Sequence, residues 1–411
     1  MSPVWNPVPF WAVARRVERT GQSDATLLSV YREWGVVRKS DRDDNFNKPS
    51  EDLSTYKVVR EGDLVFNKMK AWQGSLGVST FHGIVSPAYF VCELSDGVHG
   101  KFVHHLLRSR WAIAQFRAGS KGIRPNQWDL PYDVLRQILL PMPGFDEQRR
   151  IADFLDERVA RIDRIVAARQ AQRAAARHLH AALLQSEFDA ASDRGAVRLG
   201  YLLRGLEQGW SPQADATPAE AGQWGVMRAG SVNGGFFRAV DNKALPEGLE
   251  PRAEYEIHGG DILMSRASGS PELIGSVAVV PQDVRPKLLL PDKLYRLTLF
   301  PGWSADFVVG MLRAHENRER IRLGISGAEG MANNLPSRVI RGLRVPQLSL
   351  RGQGEVVERL AARQQADRNF EAGTTRSIEL LTEYKHSLIT AAVTGEFDVT
   401  TASTKIPGEH A

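Results

Sequence analysis

Cysteine is nearly absent, with Cys92 alone in 411 residues. That excludes an intramolecular disulfide framework and any cysteine-rich zinc site, and it suits a reducing compartment. Long apolar runs are missing as well. No stretch approaches the roughly 18 apolar residues that span a bilayer, and the amino terminus, with Pro3, Pro7 and Pro9 ahead of Arg15 and Arg16, lacks the charged-then-apolar order of a signal peptide. The expectation is a cytoplasmic protein with no membrane partner. Catalytic signatures are also wanting: there is no Gly-x-x-x-x-Gly-Lys-Ser/Thr phosphate loop and no His-Glu-x-x-His. His104 with His105, and His178 with His180, lack the spacing of a defined metal site. No cofactor, no metal and no small-molecule substrate are expected, so the chain reads as a binder rather than an enzyme.

Two weaker motifs lead the same way. Asn6-Pro7-Val8-Pro9-Phe10 looks faintly like the Asn-Pro-Pro-aromatic loop of amino-methyltransferases, but Val8 breaks it and no glycine-rich cofactor loop accompanies it. Leu290-Pro291-Asp292-Lys293 carries the Pro-Asp of a nuclease core without the carboxylate and lysine that should follow. Both read as structural.

What is present is a repeat. Gly62-Asp63-Leu64-Val65-Phe66-Asn67 returns as Gly260-Asp261-Ile262-Leu263-Met264-Ser265, 198 residues on, and the same offset carries Leu76-Gly77 onto Ile274-Gly275. Leu107-Arg108 returns as Leu312-Arg313 and Pro141 as Pro346, both at 205, while Glu187-Phe188-Asp189 returns as Glu396-Phe397-Asp398 at 209. Collinear matches with a slowly drifting offset mean a tandem duplication of about 200 residues, too long a period for a solenoid or a propeller blade. With 42% apolar and 25% charged residues, each half is rich enough to fold by ordinary burial.

Within each half, short β-rich runs broken by Gly and Pro give way near Glu147 and again near Gln353 to long stretches that read as helices. In the first, Ile151, Leu155, Arg158, Ile162, Ile165, Arg169, Gln172, Ala176, Leu179 and Leu183 step by fours and threes, the seam of a coiled coil. In the second the seam is Val356, Leu360, Arg363, Asp367, Phe370, Thr374, Ser377, Leu381, Tyr384 and Leu388, with a bend expected at Gly373. A helix from Glu147 to Glu187 would be about 60 Å long. The fold class is therefore α+β: two similar domains separated by two long antiparallel coiled-coil helices, a pseudo-twofold internal repeat. Expected boundaries are 1–146 and 191–351 for the domains, 147–190 and 352–400 for the helical segments, and 401–411 for a disordered tail.

The surplus of cations is small, +5 overall, and it lies in the globular parts: +4 for 1–146 and +2 for 191–350, against +1 for 147–190 and −2 for 351–411. That is where a phosphate-contacting surface would be, although ordinary solvated surface also accounts for so small a surplus. The loops say more. Lys68, Lys70, Trp72 and Gln73 crowd one short loop, and Arg266 and Ser268 occupy the equivalent place in the second half. Lys121 lies between the paired glycines of Gly119–Pro131 and Arg124, Asn126 and Gln127 follow them, as Asn333 and Asn334 do in Gly327–Pro336. Arg can read guanine, Asn or Gln can read adenine, and glycine lets backbone approach a phosphate. These twelve residues are the candidate DNA-binding set. For any one amide, turn capping is an equally good account, and Trp72 is open to a core role.

Leu27–Ser79 closely resembles the first target recognition domain of type I restriction-modification specificity subunits, and Gly260–Val280 resembles the same segment of their second. Glu147-Gln148-Arg149-Arg150-Ile151 and Leu380–Val399 are similar to the helical regions that follow each domain, though the second helix offers only Gly352-Gln353-Gly354-Glu355-Val356 at the matching place. The resemblance implies a non-catalytic reader of double-stranded DNA. Each domain would read one half of a split, asymmetric target, and the helices would fix the gap. It also implies two methylation subunits per chain and restriction subunits as partners. A protein-binding coiled-coil scaffold and a degenerate stand-alone DNA methyltransferase are the rival readings.

Overall fold

Leu64-Val65-Phe66-Asn67 is apolar on both faces, which suits a strand covered from two sides. In the computed structural model, which describes residues 5–42, 49–122, 128–193, 195–213, 217–326 and 333–401, this run is an inner strand of an antiparallel sheet. The sheet order is Ala14–Val17, Tyr89–Leu94, Leu64–Asn67, Leu76–Val78. Leu64 and Phe66 point into a core with Phe10, Phe102 and Phe116, while Val65 points the other way onto Val30, Val59 and Val91. Phe66 sits edge-on to Phe10 and Phe116 at 5.7 and 5.9 Å. Each such ring contributes about 1.5–3 kcal/mol by leaving water.

The second half repeats this construction. Its sheet order is Leu203–Gln208, Leu294–Leu299, Ile262–Ser265, Val277–Val279, with Ile262 and Met264 on one core and Leu263 on another. The matching two-stranded ladders are Pro7–Pro9 with Leu139–Pro141 and Ala196–Arg198 with Arg344–Pro346. The shared Gly-Asp has a mechanical reason. Gly62 and Gly260 take φ of +89° and +88°, open to glycine at little cost. The adjacent carboxylate then accepts a backbone N–H three residues back, Arg60 onto Asp63 at 2.6 Å and His258 onto Asp261 at 3.0 Å.

Strand register corrects one part of the repeat. Leu64 faces Val78 as Ile262 faces Val279, so Leu76-Gly77 matches Val277-Ala278 and not Ile274-Gly275. The second loop is three residues longer, and identity at Gly77 and Gly275 had hidden the insertion.

By contact the chain divides into Met1–Gln170 with Thr375–Ala411, and Ala171–Thr374. Two long helices, Phe145–Ser192 and Leu350–Thr394, contribute to both units. Gly195 and Gly395, at φ +97° and +81°, follow their carboxyl ends, the usual left-handed stop. The chain does not break at Gly373: the helix runs on through it. There Thr374 is buried and its hydroxyl donates to the Phe370 carbonyl at 2.7 Å.

The heptad seams hold where each helix begins and, in the second, again at Leu388. Ile151, Leu155 and Ile162 are buried against Leu388 in the first unit, and Val356 and Leu360 share a core with Leu184 and Phe188 in the second. Ile165, Leu179, Leu183, Phe370 and Tyr384 are exposed. A straight helix drifts about 20° per heptad from a 3.5-residue repeat. After four heptads the inward face has passed from Leu183 to Leu184 and Phe188. Polar pairs fill the gap in the second unit: Arg173 and Arg177 on Glu371 at 3.0 and 2.6 Å, and His180 on Asp367 at 2.6 Å. The expected tail beyond Thr401 lies outside the described residues.

Where each long helix begins, one buried glutamine ties it to its domain. The Gln148 Oε1 accepts from His99 N at 2.8 Å, and its Nε2 donates to the carbonyls of Pro143 and Gly97 at 2.8 and 3.4 Å. The Gln353 Oε1 accepts from Ser304 N at 2.8 Å, and its Nε2 donates to Leu348 and Gly302 at 3.0 and 3.2 Å. All four positions of the second set lie 205 residues beyond the first. The loss of Glu147 in favour of Gly352 therefore leaves the anchor intact. Gln148→Leu and Gln353→Leu are each expected to strand buried backbone groups and to cost about 1–3 kcal/mol, measured as a lower urea midpoint. A change within a few tenths of a kcal/mol would show that the amide is dispensable.

Candidate nucleic-acid interface

Beyond Asn67 the chain turns sharply and enters a single 3₁₀ turn, Ala71–Gln73. Gly74 closes it at φ +89°, where a Cβ would lie 2.9 Å from the Ile113 side chain. Gly275 does the same in the second unit, at φ +74° and 2.7 Å from Ile321. This turn places Lys70 in solvent and leaves Lys68, Trp72 and Gln73 half-buried. The Trp72 indole N–H donates to the Met69 carbonyl at 3.2 Å, and its ring lies 5.0 Å from that of Trp128. Arg117 covers Trp128 at 5.9 Å. Trp72 is thus neither core nor a free stacking platform, but half of a surface aromatic pair.

The second predicted loop folds onto the first. Lys121 and Asp129 exchange backbone hydrogen bonds at 2.9 and 2.8 Å, the Lys68 ammonium lies 3.3 Å from the Asp129 carboxylate, and Leu130 N donates to the Lys68 carbonyl at 3.1 Å. Lys68, Lys121 and the Trp72 turn are therefore brought together, with Asp129 as the hub. Arg124, Asn126 and Gln127 lie outside the described residues.

The second unit makes the same junction with different side chains. Leu335 N donates to the Arg266 carbonyl at 2.8 Å, the counterpart of the Leu130 bond. Ala267–Ser268 pairs with Asn333–Asn334, with Ser268 opposite Asn333. The Arg266 guanidinium donates to the Asp292 carbonyl at 3.3 Å, and Arg266 N to the Lys293 carbonyl at 2.8 Å. The Pro-Asp-Lys triplet thereby supports the Arg266 loop.

A third element went unnoticed in the sequence as a site. Arg108, at the end of the helix Gly100–Arg108, donates to the carbonyls of Arg32 and Glu33 at 2.5 and 2.8 Å. It thereby holds the hairpin of Leu28–Tyr31 and Gly35–Arg38, on which Trp34 stands 59% exposed beneath Arg42 at 5.3 Å. Its repeat partner Arg313 donates to the Gly234 carbonyl at 3.3 Å, beside Phe236 and the overlying Arg368 at 5.1 Å. The doublets Leu107-Arg108 and Leu312-Arg313 were the available signal.

No family model matches the chain. It is 36% identical over 103 residues to the specificity subunit of the type I restriction enzyme EcoEI of Escherichia coli, a match covering 25% of this chain and 17% of that protein. It is 26% identical over 225 residues to the EcoKI specificity subunit of Escherichia coli strain K12, covering 50% and 46%. The chain thus matches less than half the length of these curated relatives. Among solved structures, a chain from work on complex assembly and conformational transition of the type I R-M system superposes with a TM-score of 0.71 over 97% of this chain and 100% of that one, at 17% identity. The HsdS subunit from Thermoanaerobacter tengcongensis gives 0.50 over 96% and 98%, also at 17% identity. The chain is similar in sequence to parts of two type I specificity subunits. It shares their fold.

In this specificity-subunit fold the Arg108 clamp has a pH signature. Arg108 lies 2.7 Å from His104 Nε2 and Val78 N lies 3.3 Å from its Nδ1, two donors facing the ring, which suits neutral imidazole and not imidazolium. Burial, reinforced by the Arg108 charge, pushes the His104 pKa from 6.5 down to about 3. The unfolded chain takes up this proton near pH 6.5, so the site's stabilisation is complete above 6.5 and is lost as pH falls toward 3. Between pH 7 and pH 5 the native chain is expected to lose about 2 kcal/mol more than His104→Gln, at about 1.4 kcal/mol per pH unit below 6.5. Urea unfolding at both pH values measures it, and equal losses would mean that the ring titrates normally.

Proposed function

We propose that the chain is the DNA sequence-specificity subunit of a type I restriction-modification complex. In this reading residues 1–146 and 191–351 are target recognition domains, each taking one half of a bipartite, asymmetric target. The segments 147–190 and 352–400 dock methylation subunits, two per chain, and restriction subunits join them in the cytoplasm. The chain itself carries out no chemistry. One observation carries the proposal: both units tie a turn after the same strand to a second polar loop by the same backbone bond, onto Lys68 in one and Arg266 in the other. Likeness to proteins named specificity subunits supports it.

The division of labour follows from side-chain chemistry. Lys70 and Lys121 extend from the surface as point charges suited to phosphate. Lys68 meets Asp129, so its charge becomes available to DNA as that carboxylate is displaced or shared. Gln73, Asn333 and Asn334 have the paired donor and acceptor that match adenine, and Arg266 has the fork that matches guanine. Trp72 shapes the turn through Trp128.

Two substitutions separate these roles in the complex with methylation subunits. Lys70→Ala is expected to weaken binding of all duplexes alike and to reduce the salt slope by about 1. Gln73→Ala is expected to relax preference at one base of one half-site by about 1–3 kcal/mol, leaving the other half-site unchanged. Mapping of methylated adenines reads out the second result. Simultaneous change at both half-sites would defeat the two-reader model, and failure of the assembled complex to bind any DNA would favour a protein scaffold.

A further inference from the structure

The second unit contains a cavity of about 210 Å³ walled by both long helices and the loop at Gly234. Arg173, Arg177 and His180 come from one helix and Asp367, Arg368 and Glu371 from the other, each set at the spacing that puts residues on one helical face. Arg313 closes a third side, and Phe236 and Phe370 supply apolar wall.

The charges do not balance. Both carboxylates are engaged, Asp367 by His180 at 2.6 Å and Glu371 by Arg177 and Arg173 at 2.6 and 3.0 Å. Among the described residues Arg313 and Arg368 have no carboxylate partner. Arg368 lies over the Phe236 ring at 5.1 Å and meets Gln365, and the Arg173 Nε is buried with no hydrogen-bond partner. Four guanidiniums face two carboxylates, a surplus of two positive charges at one small opening. A purely structural role does not account for Arg313. Its repeat partner Arg108 is satisfied by two carbonyls and His104, whereas Arg313 has a single carbonyl at 3.3 Å.

We propose that this cavity binds a nucleoside monophosphate, its phosphate dianion held by Arg313, Arg368 and the Arg173 Nε, and its base against Phe370. Two surplus charges match a phosphate dianion, the guanidinium fork suits its oxygens, and Phe370, 41% exposed, offers a face for a flat ring. A ligand there would bridge the helices within this unit. None of the twelve candidate DNA-binding residues lines the cavity, and the inference does not depend on the DNA-reading proposal.

Calorimetry on the full chain with adenosine 5′-monophosphate, inorganic phosphate and adenosine tests it. The nucleotide is expected to bind in the sub-millimolar range, phosphate about tenfold more weakly, and adenosine not measurably. Arg368→Gln, on an exposed helical face, should weaken nucleotide binding by about tenfold or more, the usual effect of losing a charged hydrogen bond. Arg313→Gln should act likewise, with helical circular dichroism retained in both. Absence of nucleotide binding at millimolar concentration, equal affinity for phosphate and nucleotide, or indifference to both substitutions would each overturn the proposal. So would full displacement of the nucleotide by a short DNA duplex, which would identify the anion as a DNA backbone phosphate.

Discussion

A buried amide at the root of each long helix is the constraint on which the rest depends. Gln148 and Gln353 each satisfy one backbone N–H and two carbonyls that would otherwise be buried without partners. Glutamine alone offers a donor and an acceptor at that reach. The bonds join the loop before a domain helix to the loop before the long helix, so the domain core and the rod enter one structure in a fixed relation. Apolar contacts supply most of the stability, as Phe10, Phe66 and Phe116 do in the first unit, but they are non-directional. The amide supplies direction.

Much of this architecture was legible because duplication made the sequence its own comparison. Gly62-Asp63 and Gly260-Asp261 stood out as a repeat, and the reason is a turn with positive φ and a local carboxylate. Pro141 and Pro346 marked matching edge ladders. What could not be read were features that depend on accumulated geometry. The seam residues Leu179 and Leu183 satisfied a heptad on paper, yet helical drift carried the inward face to Leu184 and Phe188. Gly373 suggested an interruption by propensity alone, yet the helix continues through it.

The candidate site was legible in composition and opaque in contact. Lys68, Trp72 and Lys121 stood out as residue types, but nothing in their spacing revealed that Asp129 would gather Lys68 and Lys121, or that Trp128 would meet Trp72. Asp129 is 61 residues from Lys68 and Trp128 is 56 from Trp72, and they became neighbours through the turn that Gly74 closes. Arg108 and Arg313 were visible as a repeat, and their work as clamps on carbonyl groups had no sequence signature, because the acceptors belong to backbone.

The glycines packed on Ile113 and Ile321 act as bulkheads. The loop before Gly275 is three residues longer than the loop before Gly74, yet both strands enter their sheets in the same register. The wedge of a side chain against a glycine fixes where the strand must begin, whatever precedes it. Length and composition of the exposed turn are thereby uncoupled from the alternation of inward and outward residues on which the core relies. A surface built this way can change what it presents without renegotiating how it folds.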